Sequence, residues 1–197
     1  LRCSRRSRSS LGITLRLQSA GLPADTAQRL AALFGQEVAA KGSAICQQGT
    51  PEQREILLLT GAMVSLICDA DGREVCTGLH QGPTVLPPHI ARSQDGRSLT
   101  EVRALKDSAI ATMAATDLEA EMLRDVDVRN WANGIMRAEI TRRAQREWAL
   151  AALPAAERLV WFRKVHPNHE ALFPHTFIAS YLGMTPVTLS RLRKAAE

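Results

Sequence analysis

Phe177-Ile-Ala-Ser-Tyr-Leu-Gly-Met-Thr-Pro-Val-Thr-Leu-Ser-Arg-Leu-Arg-Lys194 decides how the chain is read. Together with the residues from Phe173 onward it spells a helix, a tight turn and a second helix, predicted over Thr176–Tyr181 and 186–196 with a break at Gly183-Met184-Thr185. Ala179 is small where a second helix must come close. Gly183 can take the left-handed conformation that ends the first helix. Thr185-Pro186 places an N-cap oxygen directly before the residue best suited to a first helical position. These are the requirements of a helix-turn-helix. In its second helix Leu189, Leu192 and Ala196 share one apolar face, and Pro186, Val187, Ser190, Arg191 and Lys194 share the other.

That outer face is expected to enter the major groove of DNA with its N-terminus leading. Arg191 is the expected base contact, because a planar guanidinium can bond a guanine edge in a bidentate way, worth about 1–3 kcal/mol of discrimination. Arg193, Lys194, Thr176 and Thr188 are expected on phosphates. With Thr185, Pro186, Val187 and Ser190 these make the candidate DNA-binding set. The plainer alternative is a terminal helical hairpin with solvated basic residues, which leaves the Ala179, Gly183 and Thr185-Pro186 spacing without a purpose.

Upstream lies a helical stretch that starts at Thr116-Asp117 and meets no proline until Pro154. Val128, Trp131, Ile135, Ala138, Trp148, Ala149 and Ala152 keep mostly three-to-four spacing within it. A helix of about 25 residues is twice the average of about 11–12, which suits a span between domains or pairing with a second copy. Val128, Trp131, Ile135 and Ala138 are the candidate dimer interface. Pro154 opens a further helix carrying Leu159, Val160, Phe162 and Val165, ending at His166-Pro167.

From Glu37 to Ile110 the pattern changes to short apolar runs, among them Ile56–Leu59, Met63–Cys68 and Val75–Leu79. Lys41-Gly42, Thr60-Gly61, Asp69-Ala-Asp-Gly72, Gly82-Pro83 and Asp95-Gly96 separate them as turns. Strands at roughly ten-residue spacing predict an antiparallel roll, barrel or sandwich. A short helix is predicted before it, over Leu22–Leu33.

The 197 residues suffice for a real core without staples. With 45% hydrophobic and 23% charged residues the composition is globular. Twenty-five Lys and Arg against 20 Asp and Glu leave a net charge of +5 with both ends positive. Three Trp, four Phe and one Tyr supply few stacking platforms for single-stranded nucleic acid. Arg2, Arg5, Arg6 and Arg8 are followed by no apolar signal segment, so residues 1–14 are read as a disordered basic leader and the compartment as cytoplasmic. Cys3, Cys46, Cys68 and Cys76 are scattered, which suits reduced thiols rather than a metal cluster. No phosphate-cradling glycine loop, Ser/His/Asp signature or HExxH is present, so neither a catalytic nor a metal site is expected. His166-Pro-Asn-His169 is read as a loop, since Pro167 keeps the two histidines off one helix face.

The order of parts resembles the Crp/Fnr family of bacterial transcription regulators over nearly the whole chain from about Leu15. The stretch quoted first is similar to the family's DNA-reading unit, and Gly61-Ala-Met-Val-Ser-Leu-Ile-Cys-Asp-Ala-Asp-Gly-Arg-Glu74 to the hairpin of its sensor roll. The resemblance implies an α+β protein. Residues 15–115 would form an antiparallel β-roll of the jelly-roll-like, cyclic-nucleotide-binding type, 116–153 a long dimerisation helix and 154–197 the helix-turn-helix domain. It implies a homodimer on double-stranded DNA, with RNA polymerase as a further partner and no membrane. Val187 stands where the family commonly has a Glu that reads cytosine. Cyclic-nucleotide-binding members carry Gly-Glu and then Arg-Ser or Arg-Ala in the sensor pocket. Here Gly82-Pro-Thr-Val-Leu-Pro-Pro-His89 has no acid, and Arg97-Ser98 sits one residue off. Val85, Leu86, His89, Arg97 and Ser98 are the candidate effector pocket. Cyclic nucleotide and haem are the cofactors the resemblance brings into view, and the pocket motif supports neither. The competing function is a ligand-binding roll that signals through a protein partner.

Overall fold

The computed structural model describes residues 3–195. In chain order the elements are α1 (Cys3–Ser19), α2 (Ala24–Ala31), β1 (Gly35–Ala39), β2 (Ala44–Cys46), β3 (Arg54–Thr60), β4 (Ala62–Cys68), β5 (Glu74–Gln81), β6 (Thr84–Val85), α3 (His89–Arg92), β7 (Ser93–Gln94), β8 (Arg97–Ser98), β9 (Glu101–Ala104) and β10 (Ser108–Ala114). Helices α4 (Ala115–Arg124), α5 (Val126–Ala152), α6 (Ala155–Val165), α7 (His169–Leu172), α8 (His175–Tyr181) and α9 (Pro186–Lys194) complete it. This is the expected antiparallel roll followed by a long helix and a helical C-terminal unit.

The roll is two four-stranded antiparallel sheets, ordered β1-β10-β3-β6 and β2-β9-β4-β5. Their inner faces share Ile56, Leu58, Met63, Leu86, Val102 and Ile110. Alternate residues of the same strands serve two further cores. Leu57, Ala111 and Met113 pack outward on α1, α2 and Val128, whereas Ala62, Val64 and Leu66 pack outward on the C-terminal helices. Strands buried on both faces read as apolar runs, which is why Ile56–Leu59 lacks polar alternation and why Met63–Leu66 is interrupted only by the buried Ser65. The β3–β4 turn requires Gly61: φ is +112°, and a Cβ there would collide with Ser108.

Two expectations are corrected. The first concerns the leader, where α1 is helical from Cys3, so residues 3–14 are not the disordered segment that was expected; Leu1 and Arg2 lie outside the described residues. Ile13 and Leu17, one helical turn apart, are 1% and 2% exposed against Leu22, Ala27 and Leu30. That burial is a long-range gain invisible in the Arg/Ser-rich composition. The second concerns the helical stretch after Thr116, which is not continuous. It breaks at Asp125, whose backbone is extended and whose carboxylate accepts from the Asp127 N–H at 2.9 Å as the N-cap of α5. The same carboxylate takes bonds from Thr26 at 3.0 Å and Arg29 at 2.5 Å, while Arg29 also pairs with Glu121 at 2.9 Å. Asp125 thus exchanges helical continuity for a joint to α2.

Candidate nucleic-acid interface

Helices α8 and α9 build the unit anticipated in the sequence. Ala179 is fully buried at the crossing, Gly183 has φ +61°, and Met184 and Gly183 N–H groups close the end of α8 on the Ala179 and Ser180 carbonyls, both at 3.0 Å. Thr185 Oγ1 accepts from the Thr188 N–H at 3.1 Å, capping α9 with Pro186 in its first turn. Arg158 on α6, which the sequence reading did not single out, donates to the Leu182 and Gly183 carbonyls at 2.8 and 3.2 Å and so holds the turn. Arg158 lies in the first turn of its own helix, 24 residues before Leu182, so nothing local in the sequence signalled this contact.

Leu189 is buried beneath α9, with Leu192 packed beside it; Ala196, expected on the same face, lies outside the described residues. Thr185, Pro186, Val187, Ser190, Arg191 and Lys194 are exposed, as is Thr176 on α8, and Thr188 is half-buried behind its capping bonds. Arg193 stands apart: its Nε pairs with Glu170 at 3.2 Å, and Glu170 also pairs with Arg163. Its Nη1 lies 2.6 Å from the His175 ring. Arg193 is therefore committed to α7 and α8.

The unit sits on the roll. Ser180 Oγ accepts from the Cys76 N–H at 2.8 Å, and Arg146 of α5 donates to the Tyr181 carbonyl at 3.0 Å and the Cys76 carbonyl at 3.2 Å with its guanidinium over the Tyr181 ring. His166 and His169, kept off one helix by Pro167, are nevertheless brought within 4.8 Å of each other at this junction, beside Phe162 and Tyr181. Burial pushes His166 down to about 4 and lowers His169; His80, bonded to Ser65 at 2.8 Å, is pushed down to about 3 by burial and then by Arg142. Burial thus disfavours the charged form of all three imidazoles beside the α8–α9 unit.

The five candidate effector residues do not converge. Leu86 is fully buried in the roll, Arg97 is exposed and donates to the Gly49 carbonyl at 2.8 Å, and Ser98 is buried with its hydroxyl on the Thr100 carbonyl. Val85 and His89 line a separate cavity described below. A cleft of about 580 Å³ instead opens between roll and α5, with Thr77, Arg92, Thr100, Arg142, Arg143 and Arg146 on its walls. Arg92 is 2% exposed and donates to the Pro87 and Arg54 carbonyls, and Thr100 Oγ1 is buried without a partner.

Along α5 the expected interface is corrected at Val128, which is fully buried against its own roll, and Trp131 packs on the same cluster. Ile135 is half-buried and Ala138 exposed. The apolar stripe left open runs one face round, through Met136, Ile140, Ala144 and Trp148, with Ile140 59% and Trp148 55% exposed. Its i, i+4 spacing was readable, but periodicity alone cannot tell which of two apolar stripes faces the roll.

This architecture, a roll, a long helix and a helix-turn-helix in that order, is the fold of the Crp/Fnr regulators. FixK2 from Bradyrhizobium japonicum superimposes with a TM-score of 0.73 at 19% identity, over 82% of this chain and 83% of that one. The c-di-GMP responsive global regulator CLP of Xanthomonas campestris gives 0.67 at 14% identity, over 88% and 91%. A candidate Crp/Fnr-family regulator from Eubacterium rectale gives 0.67 at 16%, over 88% and 83%. No family model and no curated protein matches the sequence, so the likeness is one of fold.

Proposed function

We propose that the protein is a non-enzymatic transcriptional regulator that binds double-stranded DNA as a homodimer through α9. The carrying observation is the division of that helix: its underside is locked by Leu189, the Thr185 cap and Arg158, while Val187, Ser190, Arg191 and Lys194 stand together in solvent. Arg191 reads a base edge, Val187 offers an apolar contact suited to a thymine methyl, and Lys194, Thr176 and Thr188 engage phosphates. Arg193 orients the unit through Glu170.

Two copies pair along Met136, Ile140, Ala144 and Trp148 of α5, which would set recognition helices about 34 Å apart for successive major grooves. The arginine-lined cleft between roll and α5 is the effector site of this reading, and its charge selects an anion. An effector there biases α5 against the roll and so the spacing of the two α9 helices. RNA polymerase is the further partner of an activating role, and the compartment is the cytoplasm; among the described residues no helix is long and apolar enough to cross a membrane.

The test is selection of bound duplexes from a random pool at fixed, near-physiological salt. A palindrome with half-sites about one helical turn apart is expected. Absence of enrichment, with and without added cell-extract small molecules, would overturn the DNA reading in favour of a roll that acts on a protein partner.

A further inference from the structure

Nearer the start of α5 than the arginine cleft lies a cavity of about 320 Å³ between the outer face of β3 and β10, helix α4 and the first turns of α5. Its walls are Phe34, Leu57, Met113, Leu118, Met122 and Trp131, and they carry Glu55, Glu119 and His89 but no Lys or Arg. The volume lies at the small end of ligand pockets, which run from about 300 to 1,000 Å³. Thioether and aromatic side chains together favour a ring.

The polar end is built with care. Glu55 is 8% exposed, and it accepts from the His89 backbone N–H at 3.2 Å to both oxygens and faces His89 Nδ1 at 3.0 Å. A carboxylate can only accept, so it fixes the ring hydrogen on Nδ1. With that hydrogen on Nδ1, Nε2 is the ring atom left to face the cavity. Two carboxylates, in a wall without Lys or Arg, disfavour an anion and favour a donor. The arginine cleft has the opposite preference.

We propose that this cavity is a second small-molecule site, which takes an apolar, ring-bearing molecule with one hydrogen-bond-donating head, a hydroxyl or an ammonium, seated on the Glu55–His89 pair. The site stands on its own geometry and does not depend on the DNA reading. Because α4 and α5 both wall it, an occupant ties the start of the long helix to the roll.

Calorimetric titration of the full chain with 2-phenylethanol, 2-phenylethylamine and phenylacetate tests it, since the three share a ring and differ in the head. The alcohol or the amine is expected to bind at least tenfold more tightly than the carboxylate. His89→Phe keeps a ring in place and removes the polar nitrogens, so it should cost that preference in a variant that circular dichroism shows to be folded. Leu118→Trp fills the cavity and should abolish binding of every probe, with Met122→Phe as the second filling variant should the first not fold. Binding of none of the probes, equal binding of phenylacetate, or full affinity in a folded filling variant would overturn the proposal.

Discussion

Helices α8 and α9 belong to one motif, yet they meet opposite surroundings. In α8, Ile178, Ala179 and Tyr181 are buried at 0–1% exposure, and Ser180 is bonded to the roll. In α9 only Leu189 is buried, and Val187 remains 60% exposed. Helix α8 thus serves mainly docking and α9 mainly display. A rigid seat is what allows a display helix to keep bare side chains in a fixed geometry, which is the condition for reading a groove rather than merely attracting phosphate.

Breaking the seat should have the largest effect. Phe162 is fully buried and its ring centre lies 6.0 Å from that of Tyr181; Phe162→Ala should cost about 3–5 kcal/mol, read from urea unfolding. A loss under about 1 kcal/mol would mean that the seat holds little of the fold's stability. Next, Ile140→Asp should halve the mass seen by light scattering, because a charge is placed on the open stripe of α5 while the seat is untouched. Unchanged mass would move the dimer interface away from that stripe.

On the display side, Arg191→Ala should remove about 1–3 kcal/mol of discrimination between operator and scrambled DNA. Its effect on unfolding should stay within about 0.5 kcal/mol, since the side chain is exposed. Thr185→Ala sits between the two regions and should cost about 1 kcal/mol through the lost cap on Thr188 N–H. The most graded effect is that of acid on the seat. An unfolded His titrates near about 6.5, whereas His166 is pushed down to about 4 and His80 to about 3, with Arg142, Glu139 and Tyr181 around them. Between those values the unfolded chain binds more protons than the folded one, so stability should fall as pH drops from about 6.5 toward 4 and be flat above 6.5. A urea midpoint unchanged from pH 7 to 4.5 would show that these rings are not held neutral.

How much was legible in advance follows the range of each signal. Gly183, Thr185-Pro186, Leu189 and the turn dipeptides of the roll act on neighbours within a few residues, and each appears where the sequence pattern placed it. The candidate effector residues scattered because a pocket depends on which sheet face and which helix face meet. Glu55 and His89 are 34 residues apart, and Thr100 and Arg143 share a cleft only once α5 lies along the roll. The same limit applies to Arg193, whose charge pointed to phosphate and whose partner Glu170 comes from another helix.

By itself, the sequence determined the order of roll, long helix and helix-turn-helix, because capping, left-handed turns and hydrophobic period are local properties of the backbone. Tertiary structure alone decided that α1 is helical and docked, that the long helix breaks at Asp125, and that Val128 turns inward while Ile140 turns out. Each of these depends on apolar surface or charge contributed by residues distant in the chain, and the free energy of burying such surface is settled only when the elements pack.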